Sequence, residues 1–170
     1  PSVVYSVDDN FTTNFMTLLS RLPLFPLYYN GNTKFKPIHC SDLTDIIYYL
    51  ILKKIYSKTI ECVGSEIISM KDILKKLLTL MNKNRLLIPF PLFVAKMNAM
   101  LFQLFPKPLL TLDQLRLLKY DNVPSKKYPT NFEIGVPSTR VFEKEVEKYC
   151  YMWREGGQFS TKKYNSKKQS

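Results

Sequence analysis

The sequence predicts an α/β fold in which short strands alternate with helices, followed by a smaller, mostly helical part. Three observations predict it. Short β-rich runs, at residues 3–5 and 59–63, alternate with segments whose apolar residues recur at spacings of three and four. Hydrophobic residues make up 45% of the chain and charged residues 23%, the balance of a globular protein and not of a disordered one. The 170 residues suffice for one domain with a single core.

The elements follow in order. Residues 3–5 read as a short buried strand, and Ser6, Asp8, Asp9 and Asn10 as a polar turn that caps a helix over about residues 10–22. Phe11, Phe15, Leu18, Leu19 and Leu22 fall on one face of that helix, and Pro23 and Pro26 stop it. Residues 27–29 and 33–38, joined by Asn30-Gly31-Asn32, predict a small hairpin whose turn needs positive φ. Ser41 or Asp42 then caps a strongly apolar helix carrying Ile46, Ile47, Leu50 and Ile51 toward about Lys54. Residues 59–63 read as a strand and Gly64 as a turn. Ser69 caps a helix through Met81 that buries Ile73, Leu77, Leu78 and Met81.

Beyond Arg85 the pattern changes. Residues 86–88 form a short apolar run, and between positions 92 and 105 only Lys96, Asn98 and Gln103 interrupt apolar side chains. A helix apolar on every side is buried in a core, docked on a partner or lies in a membrane. At about fourteen residues it is too short to span a bilayer, which needs ~20. Thr111 caps a further helix with Leu112, Leu115 and Leu118, ending near Tyr120. Residues 121–137 read as a loop, and helical spacing returns from Arg140 to about Tyr151 through Val141, Val146 and Tyr149. The tail, residues 154–170, carries Lys162, Lys163, Lys167 and Lys168 and reads as disordered, either a solvated end or a tether to anionic lipid.

The net charge of +11 raises the expectation of anionic partners, but Lys greatly outnumbers Arg and no nucleic-acid-binding signature is present, so nucleic acid is not an expected partner. Cys40, Cys62 and Cys150 lie far apart with His39 as the sole histidine, which predicts reduced thiols in a cytosolic or matrix-like compartment and no metal site. The amino terminus shows no basic segment followed by an apolar stretch. The chain opens at Pro1 on a strand, which suggests a fragment or processed product.

No P-loop, GxGxxG or GxSxG motif occurs, and a single histidine without a fitting serine or cysteine gives no catalytic triad. No catalytic residue is therefore assigned. Asp8 and Asp9 read as capping carboxylates, since helix starts favour negative charge. His39 reads as a core or turn residue that satisfies a local hydrogen bond.

Several blocks together carry a resemblance. Pro1-Ser2-Val3-Val4-Tyr5-Ser6-Val7-Asp8-Asp9-Asn10-Phe11 and Phe35-Lys36-Pro37-Ile38-His39-Cys40-Ser41-Asp42-Leu43 resemble the second half of an extended, atypical short-chain dehydrogenase of the NAD-dependent epimerase/dehydratase kind. Thr59-Ile60-Glu61-Cys62-Val63-Gly64, Arg85-Leu86-Leu87-Ile88-Pro89-Phe90-Pro91 and Pro108-Leu109-Leu110-Thr111-Leu112-Asp113-Gln114-Leu115-Arg116-Leu117-Leu118 look most like its complex I accessory branch and the bacterial relatives. Ser6 and Val7 replace the glycine and proline usual after the opening strand. Lys34 and Lys36 stand where epimerases place an arginine for substrate phosphates, which argues against a nucleotide-sugar substrate.

The resemblance implies the C-terminal part of a Rossmann-like doubly wound sheet over residues 1–63, a smaller helical lobe over residues 64–153, and the tail. It implies NADP(H) or NAD(H) as cofactor, bound mainly by a preceding half that supplies the glycine-rich turn and any Tyr-x-x-x-Lys pair. Pro1, Ser2 and Val3 are then the cofactor-contact candidates, and Lys34, His39 and Lys96 the residues facing substrate or partner. The implied role is an accessory or assembly factor of complex I, with complex I subunits as partners and peripheral membrane contact. The location would be the cytoplasmic face of the bacterial inner membrane, or the matrix side of the mitochondrial one. The alternative is an oxidoreductase or sugar-nucleotide epimerase/dehydratase.

Overall fold

The computed structural model describes residues 1–89 and 117–157. The helix expected over residues 92–105, most of the one expected from Thr111, Lys96 and the tail beyond residue 157 lie outside the described residues.

The opening residues form strand β1 (Val4–Tyr5), which pairs in parallel with β4 (Ile38–His39), Val4 opposite Ile38 and Tyr5 opposite His39. Successive strand side chains point to opposite faces. Val4 and Ile38 accordingly pack with Ile46 and Cys62 in one apolar cluster, while Tyr5 enters a larger one. Helix α1 (Thr12–Arg21) follows the acidic turn. Asp9 starts it: one carboxylate oxygen accepts the Phe11 and Thr12 N–H groups at 2.6 and 2.5 Å, and the other accepts the Ser6 N–H at 2.9 Å. The buried face is Thr12, Met16 and Leu19, with Phe11, Phe15 and Leu18 only partly buried beside the core. At the far end of α1 the Arg85 guanidinium donates to the Leu19 and Ser20 carbonyls, placing a cation where helix carbonyls are unpaired.

The expected hairpin over residues 27–38 is not formed. Strand β2 (Leu24–Leu27) pairs instead in parallel with β6 (Leu86–Pro89), and β3 (Lys34–Phe35) pairs antiparallel with β5 (Ile68–Ser69). Between β2 and β3 a 3₁₀ turn, Tyr28–Gly31, holds Tyr29, Asn30 and Gly31 at positive φ. The turn chemistry was therefore as expected at Asn30 and Gly31, but the chain leaves it toward distant partners and not back along itself.

Helix α2 (Cys40–Leu52) buries Asp42 and Ile46 and leaves Ile47, Tyr48, Ile51 and Leu52 between 49% and 63% exposed. Half of its expected apolar face is thus uncovered. Residues 59–63 form no regular strand. They make a single parallel bridge, from Glu61 to Thr130. Helix α3 (Met70–Leu80) matches its expectation: the Ser69 hydroxyl accepts the Asp72 N–H, and Ile73, Leu77, Leu78 and Met81 are buried. The last described elements are α4 (Phe142–Glu147) and a 3₁₀ turn, Cys150–Trp153, where a longer single helix was expected.

The larger core joins α1, β2, α3 and α4 through Met16, Leu19, Ile73, Leu77, Phe142 and Val146. Burying each such side chain contributes about 1.5–3 kcal/mol before the entropy of ordering is counted. Trp153 fastens the carboxy-terminal turn to α1, its indole N–H donating to the Thr17 hydroxyl at 2.9 Å.

Candidate functional site

In parallel sheets, ligands gather beyond the carboxyl ends of strands. At that end of the β1–β4 ladder stand Tyr5 and His39, and polar groups from α2, α4 and the segments before α4 and β5 converge on them. The Tyr5 ring is fully buried, 5.2 Å from the His39 ring and 4.9 Å from Phe142. Among the described residues its hydroxyl has no hydrogen-bond partner, and neither does Oε1 of Glu66. Burial, with Glu145 and Asp42 adding negative charge, pushes the Tyr5 phenol well above its ordinary range, so it stays protonated as a donor.

His39 precedes α2 and caps it: Nδ1 accepts the Ser41 N–H at 3.2 Å, while Nε2 faces Glu145 at 3.9 Å. Asp42, one turn into α2, is almost completely buried. Its carboxylate accepts the Arg140 guanidinium at 2.6 Å and the Arg140 backbone N–H at 3.2 Å. The same guanidinium reaches Asp45 at 3.5 Å, and hydrogen bonding to Asp42 holds Arg140 firmly protonated. Lys148 neutralises Glu145 at 2.6 Å. Sequence reading put Asp42 at the helix start and missed Arg140, whose partner lies 98 positions away.

The cofactor-contact candidates lie at the opposite, amino end of the ladder. Pro1 is exposed. Ser2 is buried, with its N–H on the Cys62 carbonyl at 2.9 Å and its hydroxyl on the Asn122 carbonyl at 3.1 Å, and the Val3 carbonyl accepts the Ile38 N–H. Lys34 joins the same corner through its backbone, its N–H donating to Asp121 and its carbonyl accepting the Asn122 N–H. The structure thus brings Ser2 and Lys34 to Asn122 and leaves His39 at the other end. The Lys36 ammonium rests 4.7 Å above the Phe132 ring. Gly64 closes this corner: a Cβ there would meet the Pro37 carbonyl oxygen at 1.8 Å.

A further feature bears on anion binding. Helix amino termini are ready sites for phosphates because their N–H groups are unpaired. Among the described residues every α-helix start carries acid: Asp9 precedes α1, Asp42 and Asp72 lie in the first turns of α2 and α3, and Glu143 and Glu145 in that of α4. Carboxylates that bond or shadow these N–H groups repel a second anion. No described helix start is therefore both free of acid and lined by glycine, the arrangement that cradles a dinucleotide diphosphate. The described residues also contain no cluster of three His, Cys, Asp or Glu residues placed to hold a metal ion. Cys62 and Cys150 are buried and Cys40 is partly so, and burial raises the Cys62 thiol.

No family model and no curated relative matches the sequence. By structure, the chain is similar to the dTDP-glucose 4,6-dehydratase of Streptomyces venezuelae, solved with NAD bound, at a TM-score of 0.51 and 14% identity over 89% of this chain and 41% of that one. It is also similar to the UDP-N-acetylglucosamine 4-epimerase of Bacillus cereus at a TM-score of 0.48 and 12% identity, over 91% of this chain and 45% of that one. The chain spans less than half the length of either. At these identities the likeness to the dehydratase speaks for fold alone: the chain has a mixed α/β, Rossmann-like fold and covers one part of it.

Proposed function

We propose that these residues are the carboxy-terminal part of an NAD(P)-binding protein of the extended short-chain dehydrogenase kind, and that another segment grips the cofactor's diphosphate. The observation that carries this reading is the acid at every described helix start, in a fold whose solved neighbour holds NAD. Two further features support it. The β1–β4 ladder is a two-stranded parallel pair, and parallel sheets are stable when wider and covered on both faces. The outer face of α2 exposes Ile47, Tyr48, Ile51 and Leu52, a surface suited to a neighbouring helix. The test is expression of the chain joined to whatever precedes it in its reading frame. That longer protein takes up NADH or NADPH saturably, and mutating its glycine-rich turn abolishes uptake.

Within this class the dehydratase/epimerase kind has the support of the fold neighbour. The narrower reading, an accessory subunit of respiratory complex I without catalysis of its own, is favoured by the sequence run from Pro108 to Leu118. Purification of complex I from the source cells separates the two. Co-purification in fixed proportion supports the accessory role, and a free protein that turns over substrate supports the enzyme.

A further inference from the structure

His39 occupies a position whose geometry depends on which ring nitrogen carries a proton. Nδ1 accepts the Ser41 N–H, so in this arrangement it is unprotonated and the ring is the neutral Nε2–H tautomer. The ring side chain is only 13% exposed, its edge set against Tyr5 of β1. Adding a proton to Nδ1 turns the acceptor into a donor aimed at another donor. The imidazolium must then swing away, leaving the first turn of α2 uncapped.

The surrounding charges do little to attract that proton. From α2 itself come the Cys40 thiol, 4.0 Å from Nδ1, and Asp42, already held by Arg140 from the segment before α4. From α4 comes Glu145, already held by Lys148, and from β1 the protonated Tyr5. The two carboxylates that act on His39, Asp42 and Glu145, each have their own cation.

We propose that His39 is a pH-sensitive latch: neutral, it closes the start of α2 against β1, and protonated, it releases Ser41. Burial first, opposed by Glu145 and reinforced by Arg140, lowers its affinity for protons relative to a free imidazole. The sign follows. As pH falls, the unfolded chain takes up the proton first, so the latch's stabilisation is present above pH 6.5 and is lost as pH falls through the lowered folded value.

As the sole histidine, His39 can be followed in the intact chain by proton and nitrogen NMR without ambiguity. The imidazole is expected to titrate below 6.5. The protection factor of the Ser41 amide is expected to drop about fivefold with the same midpoint, as losing a helix cap implies. His39→Asn keeps an acceptor that does not titrate, and its Ser41 protection stays flat with pH; His39→Ser serves the same purpose. An imidazole that titrates at or above 6.5, unchanged Ser41 protection across the titration, or the same drop in either variant would overturn the proposal. None of these outcomes depends on whether the protein binds a nicotinamide cofactor.

Discussion

At Asp42 a buried carboxylate meets a partly exposed guanidinium, and the asymmetry decides what each mutation does. The Asp42 side chain is 5% exposed and that of Arg140 33%. Removing the arginine strands a charge that water cannot reach, which costs more than the ion pair itself contributes. Arg140→Ala should lower unfolding free energy by about 2 kcal/mol in urea titrations, a figure discounted for the exposed end of the pair. A loss under about 0.5 kcal/mol would show that the carboxylate finds another partner. Gly64 gives a second case. Gly64→Ala drives a methyl group into the Pro37 carbonyl and should destabilise by about 2 kcal/mol or more, because the obstacle is backbone. Neither effect was legible in sequence. Local patterns marked Asp42 as a helix-start residue and Gly64 as a turn, since pattern reaches only a few positions along the chain. The partners that give these residues their weight come from remote segments.

Elements were readable where their causes are local. The cap and buried face of α3 follow from Ser69, Asp72 and the spacing of Ile73, Leu77 and Met81, all within a dozen residues. Ser69→Ala should therefore reduce thermal stability by about 1 kcal/mol, read by circular dichroism; an unchanged melting curve would mean that packing alone sets the helix start. The face of α1 was readable only to within part of a turn, because Phe11, Phe15 and Leu18 flank the core while Met16 and Leu19 fill it. The hairpin failed for another reason. Its turn residues adopt the left-handed conformation that Asn and Gly favour, yet β2 and β3 find partners in β6 and β5, and periodicity says nothing about which strands meet. In α2 the apolar period was right, but burial reaches only Ile46 and its side of the helix. Replacing Ile47 and Ile51 with Gln should leave the unfolding free energy of the isolated chain within about 0.5 kcal/mol of the original, as for exposed positions generally. The same change should weaken assembly with a nucleotide-binding half.

For the whole molecule, fold class was the most legible property, since alternating strands and helices leave few architectures open. The candidate site was less so: the resemblance named His39 as facing substrate or partner and local pattern marked Asp42 only as a helix start, while their convergence with Tyr5, Glu145 and Arg140 is a product of the fold. What the molecule lacks among its described helices is a vacant positive end. Titration calorimetry of NADH into the folded 170-residue chain addresses this directly. The account predicts no saturable heat up to millimolar ligand from the chain alone, and saturable binding once the nucleotide-binding half is joined to it. Micromolar binding by the chain alone would mean that its own residues can hold the diphosphate after all.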